Sequence, residues 1–381
     1  MAITGIICEY NPLHLGHKKQ LEAVQAADPG GSIVCIMSGN FVQRGKPAIF
    51  DKMRRAEAAV KCGADLVLEL PVTAALSSAE NFAAEGVRLL SSFCDQLSFG
   101  SETADSDSLL STAQALLSEA FSEKLKAQLE TGLSFPAARQ AALEDMGIDA
   151  GLLSQPNDIL AVEYCKAILS QNSKMKPAPI QRQGDYHDVT ADSENPSATA
   201  VRQLILNGNY WHSYVPAAAA AIFEDAPVHT LTYGERAILA KLRTMTDGEF
   251  EALPFGSEGL WRKLMHESRE KATLEEILTA VKSKRYTRTR LDRMVMCAFL
   301  GLTAQDLATP APYARVLALN DKGREVLKIA REAGQYPNIG EKVDHPYQII
   351  ENRCSALYGL FCADTPEAPN AEGNCRVYYQ K

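Results

Sequence analysis

The sequence predicts a doubly wound α/β domain built on a parallel sheet, followed by a mainly helical C-terminal domain. Four β-type runs recur in the first hundred residues: "ITGIIC" from Ile3, "SIVCIM" from Ser32, "DLVLEL" from Asp65 and "CDQLSF" from Cys94. Their starts are roughly 30 residues apart, which is the length of a strand, a crossover helix and two loops. Apolar runs this continuous are typical of strands buried on both faces, as in a parallel sheet covered by helices.

Helix-like stretches separate these strands, and helices dominate after Gly100. The first three are predicted at 15–27, 51–62 and 77–91. A fifth strand is predicted around "APIQRQ", and a further helix after Pro196, because proline suits the first helical turn. Beyond about Pro216 the spacing of strands and helices does not continue. Residues 1–214 are therefore predicted to form the sheet domain and residues 215–381 a mainly helical domain, with "YARVLALN" as an isolated strand.

Composition is that of a folded, water-soluble protein. Hydrophobic residues make up 46% and charged residues 23% of the 381 residues, and the net charge is −8. An acidic chain is not expected to coat nucleic acid non-specifically, although a local basic patch is permitted. No stretch has the roughly 20 apolar residues of a membrane span, and the N-terminus does not resemble a secretory signal, so we expect a cytoplasmic protein. The nine cysteines are scattered without a CxxC pair and are interpreted as reduced thiols.

The first functional motif is "HLGH", which carries His14 and His17 directly after the first predicted strand. Ligands of doubly wound sheets bind outside the carboxyl ends of the strands, at the N-termini of the following helices. Both imidazoles are therefore predicted to lie on one face, beside a nucleotide phosphate, with Gly16 leaving room for it. They would stabilise developing negative charge, and Lys18 and Lys19 would add positive charge for pyrophosphate.

Two other interpretations of the motif are a pair of surface histidines and a zinc site. The zinc interpretation is weak because the motif supplies two ligands without an evident third, so no metal-ligating residue is predicted. The position of the motif, after the first strand of a parallel sheet, resembles the signature of the nucleotidylyltransferase and class I aminoacyl-tRNA synthetase superfamily.

A second phosphate motif is predicted in "SATAVR", which follows Pro196. It resembles the S-[ST]-T-x-x-R pattern of the same superfamily through Ser197, Thr199 and Arg202. Hydroxyls and amides of the first turn can bind phosphate oxygens, and Arg202 would be a fixed cation for the leaving pyrophosphate. The alternative is an ordinary capped helix with a surface arginine.

Longer strings carry a closer resemblance. "GIICEYNPLHLGHKKQL", "MSGNFVQRGKPAIFDKMRRAEAAVKCGADLVLELP", "LSFGSE", "QPNDILAVEY", "IQRQGDYHD" and "SATAVR" together resemble the tRNA(Met) cytidine acetate ligase family. The resemblance implies a Rossmann-like nucleotidylyltransferase domain and an enzyme that converts acetate and ATP to acetyl-adenylate and pyrophosphate. It further implies transfer of the acetyl group to the wobble cytidine of elongator tRNA(Met), which gives N4-acetylcytidine. We expect Mg²⁺ to accompany ATP.

The resemblance also implies which residues bind ATP. These are the residues matching Gly100, Asn157 and Arg182 and one continuous segment: Ile7, Cys8, Glu9, Tyr10, Asn11, Pro12, Leu13, His14, Leu15, Gly16, His17, Lys18, Lys19 and Gln20. All of them fall at or near predicted strand ends. Each of the three isolated positions also has an ordinary structural interpretation, as a turn glycine, a helix cap or a surface arginine.

Two further segments could contact RNA. The first, "SGNFVQRGKP", follows the second strand and places Asn40, Gln43, Arg44 and Lys46 near the same edge, where Arg44 could bind a carboxylate or an RNA phosphate. The second, "VKSKRYTRTRLDR", is predicted to be a tRNA-binding face, with a solvated helix face as the alternative. Its basic residues are Lys282, Lys284, Arg285, Arg288, Arg290 and Arg293.

Two rival functions share these features. A small-molecule adenylyltransferase, or an acid–amine ligase of the pantothenate synthetase type, would use the same histidine motif without a basic C-terminal helix. A non-catalytic nucleotide- or RNA-binding protein would not need both histidines together with Arg202. A non-catalytic protein would release no pyrophosphate from ATP, and a small-molecule enzyme would not acetylate tRNA.

Overall fold

A computed structural model describes residues 1–148, 150–182, 195–283, 285–364 and 371–381. Its main feature is a seven-stranded sheet in the order β7-β6-β1-β2-β5-β8-β9, beside a two-stranded hairpin of β3 and β4. The strands are β1 (Ile3–Cys8), β2 (Ser32–Ser38), β3 (Phe41–Val42), β4 (Lys46–Pro47), β5 (Leu66–Leu70), β6 (Gln96–Ser101), β7 (Lys176–Gln181), β8 (Val316–Asn320) and β9 (Tyr378–Gln380).

Helices cover the sheet and form most of the second half of the chain. The α-helices are α1 (Leu15–Ala27), α2 (Lys52–Lys61), α3 (Val72–Ala75), α4 (Ala79–Leu90), α5 (Ser106–Leu116), α6 (Glu119–Glu130), α7 (Phe135–Glu144), α8 (Pro156–Ser170), α9 (Ala198–Leu206), α10 (Ala217–Phe223), α11 (Leu231–Thr244), α12 (Asp247–Glu251), α13 (Leu260–Glu270), α14 (Leu274–Val281), α15 (Arg288–Leu300), α16 (Ala304–Ala308), α17 (Asp321–Ala333), α18 (Tyr347–Tyr358) and α19 (Ala371–Asn374). Short 3-10 helices lie at Gly151–Ser154, His212–Tyr214 and Gly359–Phe361.

The predicted doubly wound core is confirmed. Strand β1 pairs in parallel with β2 over its whole length and with β6 on its other side, and β7 pairs in parallel with β6. Because these pairs are parallel, the carboxyl ends of the strands meet at one edge of the sheet. Helices α1, α2 and α4 return the chain between the strands, where the sequence predicted them.

The prediction that "YARVLALN" forms an isolated strand is wrong. Strand β8 pairs antiparallel with β5 and in parallel with β9, so the sheet is mixed at this side. The physical reason is burial: the side chains of Val316, Leu317 and Ala318 are fully covered, which requires packing on both faces of the strand. Asn320 adds a specific contact, because its Nδ2 donates to Asp65 Oδ1 at 2.9 Å.

The C-terminal residues consequently belong to two packing units. Helices α11 to α15 share a hydrophobic core that includes Leu242, Leu264 and Leu291, and Phe41 of β3 and Tyr358 of α18 pack into it. Strands β8 and β9 return to the sheet instead. The predicted range 215–381 is therefore not one separate helical domain; its last part completes the sheet of the first.

A buried ion cluster joins the last segment to the carboxyl edge of the sheet. Lys52 Nζ lies 2.7 Å from a carboxylate oxygen of Glu69 on β5 and 2.8 Å from one of Glu372 on α19. Ser355 donates a hydrogen bond to Glu372. Burial by itself would lower the pKa of Lys52, but Glu372 and Glu69 raise it above its ordinary value, so the lysine is charged.

Two further sequence expectations concern cysteines and membranes. All nine cysteines are free thiols, six of them buried. Among the residues that the structure describes, no helix has both the length and the apolar character needed to cross a bilayer.

Candidate active site

A cleft of about 850 Å³ opens at the carboxyl edge of the parallel strands. This volume lies within the range of small-molecule sites. Five cationic side chains line the cleft, and Glu9 is the one acidic residue among its described lining residues. The cations are Lys19, Arg44, Lys46, Arg182 and Arg202. A strongly positive cleft in a chain of net charge −8 favours a polyanionic ligand such as a polyphosphate.

His14 and His17 form the N-terminus of α1 in an unusual way. His14 is the N-cap residue, and its Nδ1 accepts a hydrogen bond from the backbone N–H of Gly16 at 3.1 Å. His17 Nδ1 accepts from the backbone N–H of His14 at 3.3 Å, so the two imidazoles together make a capping box. Their rings stack with centroids 3.7 Å apart. The helix cap therefore fixes the position of both rings.

Gly16 lies in close contact with the His14 ring. A Cβ at this position would lie 3.0 Å from the His14 ring, which folds back over the glycine. The glycine therefore leaves room for the His14 imidazole, and it also lines the cleft, where space for a nucleotide was predicted.

The hydrogen bonds also define the proton position on each ring. An Nδ1 that accepts from a backbone amide carries no proton, so each neutral imidazole has its proton on Nε2. Burial, followed by His17, Arg182 and Arg202, lowers the pKa of His14 well below its ordinary value. Burial and then Arg182 lower the pKa of His17 to about 3. At neutral pH both histidines are thus neutral Nε2–H hydrogen-bond donors.

These lowered pKa values predict a pH dependence of stability. Below pH 6.5 the unfolded chain protonates both histidines while the folded chain does not, so stability is lost as the pH falls toward 3. The free energy of unfolding should fall by up to about 1.4 kcal/mol per pH unit for each histidine. Urea unfolding between pH 7 and pH 5 measures this slope. The variant His17→Asn keeps an acceptor oxygen near the Nδ1 position, and should show a shallower slope than the wild type.

The predicted second phosphate motif lies against the first. Ser197 caps α9, accepting from the Ala200 N–H at 3.0 Å. Arg202 donates to the backbone carbonyl of Asn11 at 2.6 Å and to Thr199 Oγ1 at 3.0 Å. Ser197, Thr199 and Arg202 all line the cleft. The structure therefore brings the two sequence motifs together at one site.

The three isolated positions that were predicted to bind ATP also come together. Arg182 donates to Asn157 Oδ1 at 3.1 Å, and Asn157 Nδ2 donates to Glu102 at 2.6 Å. A Cβ on Gly100 would lie 3.0 Å from the Arg182 side chain. All three line the cleft: Gly100 near the end of β6, Arg182 directly after β7 and Asn157 in the first turn of α8.

Lys18 is not part of the cleft. Its Nζ donates to the carbonyl of Cys62 at 2.9 Å and lies 3.4 Å from Glu22. The helical spacing of α1 explains this difference, because a residue next to His17 points about 100° away from it. Pro12, Leu13 and Leu15 also do not line the cleft, and Leu13 is fully buried in the core.

The segment after β2 forms the hairpin of β3 and β4, and only some of its predicted residues reach the cleft. Gln43, Arg44 and Lys46 line the cleft, whereas Asn40 Oδ1 accepts from the Lys52 N–H at 2.9 Å. Glu9 Oε1 accepts from the Gln43 N–H at 2.7 Å and so connects the hairpin to β1. Arg44 and Lys46 are exposed.

Most basic side chains of the predicted tRNA-binding stretch form ion pairs or hydrogen bonds with other residues of the protein. Arg285 pairs with Glu258 at 2.8 Å. Arg288 pairs with Glu275 at 2.6 Å and with Asp292 at 3.0 Å. Glu258 and Glu275 lie outside the basic stretch in the sequence. The sequence therefore suggested a basic face opposed only by Asp292, but folding brings these two carboxylates to it and neutralises part of its charge.

Two other arginines of the stretch support neighbouring structure. Arg290 donates to the carbonyl of Phe255 at 2.8 Å. Arg293 donates to the carbonyl of Gln43 at 3.4 Å, and burial lowers its pKa, so it braces the hairpin. Lys282 is exposed, and Lys284 lies outside the described residues.

The sequence did not single out His229, which lies in the cleft. It is more than 200 residues from the histidine motif and belongs to no recognisable pattern. The apolar wall formed by Phe82, Phe99 and Tyr164 was also missed, because aromatic residues at helix and strand spacing are indistinguishable from ordinary core residues.

A pair of neutral histidines that cap a helix at the carboxyl edge of a parallel sheet, opposite a second phosphate motif, defines a nucleotidylyltransferase site. The HIGH Nucleotidyl Transferase family matches residues 1–365 of this chain. A protein of Clostridium novyi named tRNA(Met) cytidine acetate ligase is 38% identical over 88% of this chain and 89% of its own. One of Acetivibrio thermocellus with the same name is 34% identical over 89% and 88%. This chain belongs to the tRNA(Met) cytidine acetate ligase family, as its longer strings predicted.

Solved structures agree with this assignment. The apo crystal structure of Thermotoga maritima TmcAL covers the whole of both chains with a TM-score of 0.91 and 27% identity. The crystal structure of the same protein bound with alpha-thio ATP matches with a TM-score of 0.88.

Proposed function

We propose that this protein activates acetate with ATP and transfers the acetyl group to the wobble cytidine of elongator tRNA(Met). The observation that carries the proposal is the pair of neutral Nε2–H imidazoles in a cationic cleft. Attack of a carboxylate on the α-phosphate adds negative charge there, which fixed donors stabilise. The names of the relatives supply the acyl donor and the RNA, and the alpha-thio ATP bound by the Thermotoga maritima protein supports ATP as the nucleotide.

The places of the residues in the cleft support a role for each of them. His14 and His17 donate to oxygens of the α-phosphate, and Arg202 stabilises the departing pyrophosphate. Asn157 and Arg182, with Gly100, bind the nucleoside end at the ends of β6 and β7. Because the side chains are held by caps and hydrogen bonds before ATP binds, little reorganisation is needed during the reaction.

Magnesium would reach this site with ATP. Within the described parts of the chain, no group of three or more His, Cys, Asp and Glu side chains is placed to bind a metal. The cleft contributes Glu9 as a single carboxylate. A magnesium ion would therefore be coordinated mainly by the phosphates of ATP and by water, which is usual for this ion.

The RNA backbone is proposed to contact Arg44 and Lys46 at the cleft, together with the outer side of the basic stretch at Lys282 and Arg285. Both hairpin residues are exposed and lie next to the site where the acetyl group is made. An RNA that delivers a base into the cleft must pass its phosphates close to that site.

Neutralising the hairpin should weaken tRNA binding in a salt-dependent way. For Arg44→Gln combined with Lys46→Gln, we expect the slope of log K against log salt concentration to become shallower by roughly 1.4 to 1.8, because two phosphate contacts are lost. Filter binding at several salt concentrations measures the slope. The matched control changes Arg324 and Lys328 on α17, both exposed, and should leave the slope unchanged. Changing Lys282 and Arg285 to glutamine tests the basic stretch separately.

The proposed function is tested by incubating the purified protein with ATP, labelled acetate and total tRNA. Digestion of the RNA and mass spectrometry should show N4-acetylcytidine in elongator tRNA(Met) and release of AMP and pyrophosphate. Formation of pyrophosphate without acetylated RNA would instead indicate a small-molecule adenylyltransferase. Absence of both products would contradict any catalytic function of the cleft.

A further inference from the structure

His229 lines the cleft next to the segment that follows the β3–β4 hairpin. Its backbone N–H donates to the carbonyl of Ile49 at 2.9 Å, and the N–H of Ile49 donates to Asn11 Oδ1 at 2.8 Å. Two consecutive hydrogen bonds therefore join His229 to the loop that carries His14. Ile49 follows the hairpin after β2, whereas Gly100 and Arg182 lie on β6 and after β7, on the other side of β1.

The ring of His229 is held in one orientation and one tautomer. It stacks on Tyr358 with centroids 4.0 Å apart and planes 14° apart. Its Nδ1 lies 3.1 Å from the carbonyl of Pro227, which can only accept, so Nδ1 carries the proton. In the neutral ring Nε2 then has a lone pair, and it makes no hydrogen bond to the residues that the structure describes.

This tautomer is the reverse of that in the HLGH pair. His14 and His17 accept at Nδ1 and can only donate from Nε2, whereas His229 can accept at Nε2. The hydroxyl of Tyr10 is buried against Cys35. Glu9 is the other proton acceptor of the described cleft lining, and one of its oxygens already binds the Gln43 N–H.

We propose that His229 is the general base of the acetyl-transfer step. The exocyclic N4 of cytidine attacks the carbonyl carbon of acetyl-adenylate and forms the C–N bond. The bond between that carbon and the phosphate oxygen breaks, and its electron pair leaves with AMP. One proton of N4 passes to Nε2 of His229, and the imidazolium then releases it to solvent.

The position of His229 suits this role because the two substrates would enter from opposite sides. ATP occupies the side of β6 and β7 in the proposed function, on which this inference rests. The cytidine would then approach from the side of the hairpin, past Arg44 and Lys46, where His229 lies. A base on that side faces the amine as it attacks, and general bases of this kind contribute about 10²- to 10⁴-fold in rate.

The surroundings keep the ring neutral at physiological pH. Burial lowers the pKa of His229, Asp51 raises it and Arg55 lowers it again. The other titratable groups packed against it are Tyr358, through the ring stack, and Cys362, its partner in a β-bridge. The transfer rate should therefore fall only when the pH drops below the ordinary histidine range, as the imidazolium forms.

The test separates the two half-reactions in the full-length protein. Acetate-dependent exchange of pyrophosphate into ATP measures adenylation, and a single-turnover assay measures transfer of labelled acetyl to purified tRNA(Met). The variant His229→Asn can keep the hydrogen bond to the Pro227 carbonyl through its amide, but lacks the Nε2 lone pair. We expect transfer to fall by about 10²-fold, the fall in rate at acidic pH to disappear, and exchange to stay within about twofold.

The other possible outcomes contradict either this proposal or the proposed function. Transfer at the wild-type rate in both His229→Asn and His229→Gln would overturn the proposal. A loss of transfer in Glu9→Gln, with His229→Asn unaffected, would assign the base to Glu9 and also overturn it. An equal loss of exchange and transfer in His229→Asn would show a merely structural role. If the wild-type protein exchanges no pyrophosphate at all, it is the proposed function that fails.

Discussion

Replacing either histidine of the HLGH motif should lower acetate-dependent pyrophosphate release by roughly 10²- to 10³-fold, which is the cost of removing one donor to developing charge. His14 and His17 supply the two Nε2–H donors at the carboxyl edge of the sheet. Because both rings also cap α1, alanine variants combine a chemical and a structural loss. The better variants are His14→Asn and His17→Asn, since asparagine can cap a helix but has no group at the Nε2 position.

The control for this experiment is His266, an exposed histidine on α13. His266→Asn should release pyrophosphate at the wild-type rate, and circular dichroism should show that all three variants are folded. Near wild-type turnover in both His14→Asn and His17→Asn would remove the phosphate assignment, whatever the identity of the acyl acceptor.

The largest expected effect on stability is at Lys52. Lys52→Met should lower the free energy of unfolding by about 3 to 5 kcal/mol, because it leaves the buried carboxylates of Glu69 and Glu372 facing each other without a cation. Urea unfolding followed by circular dichroism measures the loss. The cluster connects β5 to the last described segment, so the variant should also expose the C-terminus to proteases.

Lys328 provides the matched control, because its ion pair with Glu325 is about two-thirds exposed on both sides. Lys328→Met should change the free energy of unfolding by less than about 1 kcal/mol. Adding Glu69→Gln and Glu372→Gln to Lys52→Met should recover much of the lost stability, since it removes the uncompensated charges. A loss below 1 kcal/mol in Lys52→Met would mean that the cluster does not stabilise the fold.

Local patterns predicted the parts of the molecule that local physics decides. Helix α1 spans Leu15–Ala27, as its sequence indicated, and the four apolar runs became the parallel strands β1, β2, β5 and β6. The spacing of strands and helices determines this topology, because parallel neighbours need crossovers of a fixed minimum length. The two phosphate motifs were predictable for the same reason, since each directly follows a strand or begins a helix.

The tertiary structure decided what depends on partners far away in the chain. The sequence showed "YARVLALN" as a strand, but only the fold gives it β5 as an antiparallel neighbour. It also showed Arg285 and Arg288 as free basic groups, whereas folding brings Glu258 and Glu275 to them.

Within the site, the sequence alone determined the class of chemistry, because short motifs at strand ends specify which side chains meet at one edge of the sheet. The longer strings predicted the family. Only the tertiary structure decided the state of those side chains. Backbone amides fix the protons of His14 and His17 on Nε2, and a carbonyl fixes that of His229 on Nδ1. Proton positions and pKa values depend on burial and on partners across space, and these exist only after the chain has folded.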